Sequence, residues 1–180
     1  RKGIWGIKSR NKEQMFAMDM LLNPEIQVVS LIGKAGSGKT LCAIAAGLEQ
    51  SMESGKEEPI YRRLIVSRPV QPLGKDIGYL PGTLEDKMAP WLAPVQDNLR
   101  FLMGDDNVTL EMYMEKGKIE IEALTYIRGR SISNSYIVID EAQNLTTHEI
   151  KTIITRVGEG TKVILTGDIE QIDNVYLDEK

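Results

Sequence analysis

Eight consecutive residues, Gly33-Lys34-Ala35-Gly36-Ser37-Gly38-Lys39-Thr40, follow the spacing G-x-x-x-x-G-K-[ST] in full. The glycines let the backbone turn tightly and aim its amides at an anion. A helix starting directly behind them adds unpaired N–H groups and the positive end of its dipole. Gly33, Lys34, Ala35, Gly36, Ser37 and Gly38, with Lys39, Thr40 and Leu41 at the helix start, therefore read as a cradle for a chain of phosphates. Lys39 supplies a point charge for the terminal phosphates. The Thr40 hydroxyl is a ligand for the Mg2+ that accompanies a nucleoside triphosphate.

A second group lies a hundred residues on, where Tyr136-Ile137-Val138-Ile139 runs into Asp140-Glu141. An apolar strand ending in Asp puts a carboxylate at the sheet edge where open α/β sheets bind ligands. Asp140 is a hard oxygen donor suited to the magnesium shell, through water. Glu141 is placed to orient and deprotonate a water for in-line attack on the terminal phosphorus. A third stretch, Val163-Ile164-Leu165-Thr166-Gly167-Asp168 followed by Gln171, repeats the pattern of apolar strand and polar end. Thr166, Asp168 or Gln171 is a candidate to hydrogen-bond the water or the terminal phosphate, although Thr-Gly-Asp also makes an ordinary turn.

These groups need a sheet to hold them. Apolar runs predict strands at 26–32, 64–66, 119–124, 136–139 and 163–165, and apolar spacing predicts helices at 38–52, 110–115 and 147–157. Between 68 and 104, five prolines break regularity, yet Leu84, Met88, Trp91, Val95, Leu99 and Leu102 recur at three and four residues, so a loop and a kinked helix are expected. Strands alternating with helices imply an α/β fold, three layers around a mostly parallel central sheet, with a helical insertion at 68–104.

A chain of 180 residues with 42% hydrophobic and 27% charged residues fits one core-forming domain, which excludes disorder or coiled coil throughout. No apolar run is long enough to span a bilayer, so no membrane partner is expected. The single cysteine, Cys42, cannot form an intrachain disulfide, and a reducing, cytoplasmic setting follows as the default. The chain opens on Arg1 and shows nothing regular after Asp173, so residues 1–180 are expected to be one domain cut at both ends from something longer.

The three blocks, in this order, resemble the PhoH family of P-loop ATPases, itself similar to the first half of superfamily 1 helicases. Beyond the phosphate loop the resemblance rests on Ser67-Arg68-Pro69-Val70, Gly74-Lys75-Asp76-Ile77-Gly78, Leu80-Pro81-Gly82, Lys87-Met88-Ala89-Pro90-Trp91 and Tyr126-Ile127-Arg128-Gly129-Arg130. It continues through Asp140-Glu141-Ala142-Gln143-Asn144, Leu165-Thr166-Gly167-Asp168 and Gln171-Ile172-Asp173. It implies ATP binding and Mg2+-dependent hydrolysis in a RecA-like fold, coupled to helicase-like work on RNA or single-stranded nucleic acid. Some members carry a PIN-type ribonuclease domain ahead of the ATPase, which would make the basic start, with Arg1, Lys2, Lys8, Arg10 and Lys12 and no acid among them, a linker. Nothing here supplies a nuclease cluster.

By the same resemblance Gln14, ahead of the first strand, is similar to the adenine-reading glutamine of those helicases. A surface Gln on an amphipathic helix with Met15, Met18 and Leu22 is an equal alternative. Helicases take an arginine for the γ-phosphate from a second domain, which this chain is too short to contain. Arg68, Arg128, Arg130 and Arg156 are the candidates. Arg156, at a helix end before Gly158-Glu159-Gly160, suits reach across an interface in a ring-like homo-oligomer such as a hexamer.

Two rival classes remain. A GTPase switch would need Asn-Lys-x-Asp, and Asn11-Lys12-Glu13-Gln14 ends in Gln ahead of the phosphate loop. A phosphotransferase would need a mobile Arg-rich lid, and an Asp-Glu pair favours water as acceptor. Net charge is −4, so a nucleic-acid track must be local: Arg68 and Lys75 in one loop, and Lys116, Lys118, Arg128 and Arg130 in another stretch, diluted by Glu120 and Glu122. His148 reads as a surface or capping residue, and Cys42 as a small buried side chain.

Overall fold

The computed structural model describes residues 7–8, 10–34, 38–52, 57–69, 84–104, 107–124 and 132–168, with backbone alone at 84–91 and 107. Five strands form one sheet: β1 (Val28–Gly33), β2 (Arg63–Arg68), β3 (Ile119–Ala123), β4 (Ser135–Ile139) and β5 (Lys162–Asp168). Their order is β1-β5-β4-β2-β3, and every pairing is parallel. The helices are α1 (Lys12–Leu22), α2 (Lys39–Ser51), α3 (Leu84–Leu102), α4 (Asn107–Glu115) and α5 (Thr147–Arg156), with a 3-10 turn at Ala142–Asn144.

Strands of a parallel sheet are covered on both faces, and period-two alternation here feeds two separate cores. Leu64, Val66, Tyr136, Val138 and Ile164 face α1 to α4, packing with Leu21, Leu48, Val95 and Leu110. Ile65, Ile137, Ile139, Val163 and Leu165 face the other way, onto Ala142 and Ile153. The architecture is therefore helix layer, sheet, helix layer. Val95 and Leu99 are fully buried in the larger core, so α3 contributes its C-terminal half to a packed layer. The helix runs through Pro90 and Pro94, each lacking the N–H that an interior turn would use.

Helix α2 packs on the sheet through a side that includes the fully buried Ala43 and Ala46 and, against Leu64 and Tyr136, Gly47. A Cβ at Gly47 would come within 2.7 Å of Leu64 Cδ1 and of the Tyr136 ring, which explains a glycine in mid-helix. The Tyr136 hydroxyl donates to Ala43 O at 2.8 Å, and burial holds that phenol well above its ordinary pKa. Helix α5 starts with a capping box: Glu149 N–H donates to Thr146 Oγ1 at 3.1 Å and Thr146 N–H to Glu149 Oε1 at 3.2 Å. The C-terminus of α1 is tied to β5, where the buried Lys162 ammonium donates to Met20 O at 2.5 Å and Asn23 O at 2.6 Å.

Strand boundaries differ from the apolar runs in an instructive direction. β2 spans 63–68 and β5 162–168, each reaching past its hydrophobic stretch into Ser67-Arg68 and Thr166-Gly167-Asp168. Ladder hydrogen bonds to neighbouring strands carry the polar residues along. Those extensions are where the site lies.

Candidate nucleotide site

Register places the chemistry along one edge of the sheet. Gly33 pairs with Asp168 across β1 and β5, Ile139 with Leu165 across β4 and β5, and Ser67 with Ile139 across β2 and β4. The residues just past those pairs, Asp140, Thr166 and Arg68, must then converge. Asp140 N–H donating to Ser67 O at 2.9 Å extends the β2–β4 ladder by one residue and fixes the first acid.

The phosphate loop leaves β1 at Gly33 and re-enters regular structure at Lys39. Ala35, Gly36 and Ser37 lie outside the described residues. Gly38 caps α2 with φ +74°, and a Cβ there would meet nothing within 4 Å. Its glycine answers to the left-handed backbone rather than to space. The Lys39 ammonium donates to Lys34 O at 2.7 Å and pairs with Asp168 Oδ1 at 3.1 Å. Leu41 is half-buried in the first turn of α2.

Thr40 and Thr166 frame the first acid. Thr40 Oγ1 is 2.9 Å and Thr166 Oγ1 3.1 Å from Asp140 Oδ1, and the hydroxyls are 3.1 Å apart. Each hydroxyl has one proton, so both donate to the carboxylate and their mutual contact is secondary. A hydroxyl and a carboxylate oxygen side by side are hard donors suited to Mg2+. No group of three or more His, Cys, Asp or Glu able to hold a metal occurs among the described residues.

Glu141 departs from the strand abruptly, with φ +56° and ψ 36°. A non-glycine in this region costs about 1–2 kcal/mol, so neighbouring contacts must hold it there. Gln143 Nε2 donates to Glu141 Oε2 at 2.9 Å and Asn144 Nδ2 to the same oxygen at 3.4 Å. Gln143 is fixed at its other end, where Oε1 accepts from Asp168 N–H at 3.2 Å. A Cβ on Gly167 would sit 2.6 Å from Gln143 Oε1 and 3.1 Å from Gln143 N, so the close approach of turn to strand requires that glycine. Arg68, on β2, bridges the acids: Nε is 3.4 Å from Asp140 Oδ2 and Nη2 3.1 Å from Glu141 Oε1.

Beside the loop a cavity of about 760 Å³ is lined by Arg10, Gln14, Ile32, Gly33, Lys39 and Cys42, among others. Gln14 thus shares a space with the phosphate-loop lysine, and its Oε1 accepts from Arg10 N–H at 2.7 Å. Burial pushes the Cys42 thiol up, against a smaller opposing pull from Arg10. Gln171, Arg128 and Arg130 lie outside the described residues. Arg156 ends α5, exposed, where Val157 bridges Ile132 and Gly158 N–H donates to Ile132 O at 2.6 Å. That is the opposite end of the sheet, so the fold does not bring Arg156 to Lys39 and Glu141 of its own chain. His148 is exposed in the first turn of α5.

The hold of Gln143 and Asn144 on Glu141 is not evident from sequence, where Arg68 too is only one arginine among four. The available signal was the pair of amides two and three residues after Glu141, which a tight turn folds back onto it.

A second cavity, of about 600 Å³, opens at the far end of the sheet, where β2 and β3 begin. Arg62, Arg63, Lys116, Lys118, Glu58 and Glu120 line it. Arg63 pairs with Glu120 at 2.9 Å. Arg62, Lys116 and Lys118 form no ion pair among the described residues.

A parallel α/β sheet with a glycine-rich loop between its first strand and the following helix, and an Asp-Glu pair at the end of β4, separated from β1 by β5, defines a P-loop nucleotide-binding domain of the ATPase type. A family model described as PhoH-like protein matches residues 6–179, and the chain belongs to the PhoH family. Protein PhoH2 of Bacillus subtilis (strain 168) is 55% identical, with 97% of this chain and 39% of that protein covered. Protein PhoH2 of Mycolicibacterium smegmatis is 40% identical over 96% of this chain and 38% of its own length. The PhoH-like protein of Bacillus subtilis is 41% identical over 79% and 42%. The chain thus spans about two-fifths of the curated relatives it matches. Among solved structures, the large terminase of a thermophilic bacteriophage aligns with a TM-score of 0.46 at 12% identity, over 96% of this chain and 44% of that one.

Proposed function

We propose that the domain binds ATP and hydrolyses it with Mg2+. The observation that carries the reading is the meeting of Thr40 from α2 and Thr166 from β5 on Asp140 at 2.9 and 3.1 Å, beside the Lys39–Asp168 pair at 3.1 Å, with Glu141 linked to Asp140 through Arg68. Gly33 to Thr40, with Leu41 behind them, cradle the phosphates, and Gln14 in the adjoining cavity reads the adenine edge. Thr40 and Asp140 would hold Mg2+, which when bound neutralises phosphate charge. Lys39 exchanges Asp168 for the terminal phosphates. Glu141 accepts a proton from water as the water oxygen bonds to the γ-phosphorus; the bond to the bridging oxygen breaks and its electrons leave with ADP. Gln143 orients Glu141, while Gln171 follows β5 as a further polar contact for water or phosphate.

The finer reading is helicase-like work on RNA or single-stranded nucleic acid by a homo-oligomer, for example a hexamer, in the cytoplasm. Three cations in one cavity without ion pairs among the described residues, on a chain of net charge −4, support a local polyanion track. Arg156, exposed and remote from its own chain's acids, supports reach into a neighbour. The alternative is a nucleotide-dependent switch or a phosphotransferase without nucleic-acid activity. A single domain over 1–180, cut from a longer protein, is part of the same proposal.

ATP turnover and nucleotide binding of the unaltered, Lys39→Ala and Glu141→Gln chains test it. Glu141→Gln is expected to keep nucleotide binding and lose about 100- to 10,000-fold in turnover, the span of general-base catalysis. Lys39→Ala is expected to weaken binding about 10- to 100-fold, as for removal of one charge-assisted hydrogen bond. Undiminished turnover in Glu141→Gln removes Glu141 from the mechanism.

A further inference from the structure

Every oxygen of the acid pair is engaged. Asp140 Oδ1 takes the Thr40 and Thr166 hydroxyls, and Oδ2 faces Arg68 Nε. Glu141 Oε2 takes the Gln143 and Asn144 amides, and Oε1 faces Arg68 Nη2. Arg68 therefore stands at the one oxygen of each acid, Asp140 Oδ2 and Glu141 Oε1, that no hydroxyl or amide takes, and crowds the approach of water to it. Gln143 and Asn144 sit in the turn that follows Glu141, and Gln143 is pinned to Asp168 as well. Thr40 and Thr166 have short side chains on a helix and a strand. Arg68 differs from these partners: its side chain is long, starts at the last residue of β2, and is 16% exposed.

We propose that Arg68 works in two positions: paired with Asp140 Oδ2 and Glu141 Oε1 it holds the two acids together and covers the Glu141 oxygen that would take a proton from water, and, released, it turns its guanidinium to the terminal phosphate of the nucleotide within the same chain. The proposal rests on the hydrolysis reading above. Electrostatics sets its direction. A divalent cation at Asp140 repels a guanidinium only 3.4 Å from that carboxylate, while phosphate oxygens next to Lys39 attract it. One event thereby frees Glu141 and adds positive charge opposite the negative charge that develops in the transition state. Arginine suits both positions, because its planar fork spans two carboxylates or two phosphate oxygens and a lysine's point charge spans neither. A neighbour's Arg156 would act in addition, from across an interface.

The test compares Arg68→Ala and Arg68→Lys with the unaltered full chain. Affinities for ADP and for a non-hydrolysable ATP analogue are measured with Mg2+ by fluorescent-nucleotide titration, alongside turnover and the thermal midpoint. Arg68→Ala is expected to lose about 10-fold or more of the preference for the triphosphate, as for one charge-assisted hydrogen bond. ADP affinity stays within about twofold, and turnover falls by about 1,000-fold, the lower bound for an arginine at transferring phosphate. Arg68→Lys recovers part of the preference and, where Arg68→Ala does not fold, carries the comparison alone. Mixing Arg68→Ala with Lys39→Ala protein restores no activity, because the defective arginine and the intact loop share one chain. An unchanged triphosphate preference and turnover, or recovery on mixing, overturns the proposal. Failure of the unaltered chain to bind either nucleotide overturns the hydrolysis reading itself, a distinct result.

Discussion

The two ends of the sheet are made of the same strands and differ in how far their charges are paired. Where the strands finish, Lys39 pairs with Asp168, and Arg68 with Asp140 and Glu141. Where they start, Arg63 pairs with Glu120, but Arg62, Lys116 and Lys118 line the same cavity with no ion pair among the described residues, and Lys162 is buried against carbonyl oxygens. An end in which both signs are paired can exchange its partners for a ligand that itself carries both signs, and a magnesium nucleotide is such a ligand. An end with surplus cations asks for an anion alone.

The finishing end is the more tightly fitted, and crowding it has the larger effect. Gly167→Ala puts a methyl 2.6 Å from Gln143 Oε1 and 3.1 Å from its backbone nitrogen. Either Gln143 gives up its hold on Glu141 or the turn shifts with the acid. A loss of about 1–3 kcal/mol in stability is expected from overpacking. Turnover should drop about 10- to 100-fold, for a misplacement near 1 Å. Denaturant unfolding and steady-state ATPase rates measure both. A Gly167→Ala enzyme with unaltered turnover would show that Gln143 does not position Glu141.

The starting end is open, so its charges can be reversed at little structural cost. Lys116→Glu with Lys118→Glu should weaken single-stranded RNA binding and flatten its dependence on salt, by about 0.7 in the log–log slope for each phosphate no longer neutralised. Filter binding over a range of salt concentrations reads this directly, with Lys39→Ala as the control that spares the far end. If RNA binds and the double reversal leaves both affinity and slope alone, the track lies elsewhere. The difference between the two ends would then be one of packing only.

How much of this was legible beforehand follows the same division. Strand cores were readable because Ile137-Val138-Ile139 and Ile164-Leu165 are apolar runs, and α2 because Leu41, Ala45 and Leu48 share a face. The phosphate loop and Asp140-Glu141 were readable because their chemistry is consecutive in sequence. The links that hold them were not. Arg68 meets Glu141 only because β2 and β4 are neighbours in register, about seventy residues apart in the chain. Gln143 reaches Glu141 through a 3-10 turn three residues long, too short to leave a periodic signal. Ser67 and Thr166 prolong strands by pairing with neighbours, which composition does not reveal. Spacing along a chain reports groups that act together in one loop; contacts between strand ends depend on strand order, which short-range pattern leaves open.

The smallest effect tests the buried cation of the starting end. Lys162 is 1% exposed, and desolvation lowers its ammonium from the ordinary 10.5 to about 8. Below that value both the folded and unfolded chains carry the proton, and this group adds no pH dependence to stability. Between about 8 and 10.5 the unfolded chain binds the extra proton, so unfolding becomes harder as pH rises. The gain amounts to about 1 kcal/mol between roughly pH 7 and pH 9. Lys162→Met loses two donated hydrogen bonds and is less stable at every pH, but its unfolding free energy should lack that upward component. Urea unfolding of the two proteins at several pH values isolates the difference in slope. Equal slopes would mean that the carbonyls of Met20 and Asn23 favour the charged amine as strongly as burial opposes it, and the starting end would then tolerate a buried cation without an acid at no cost in protonation.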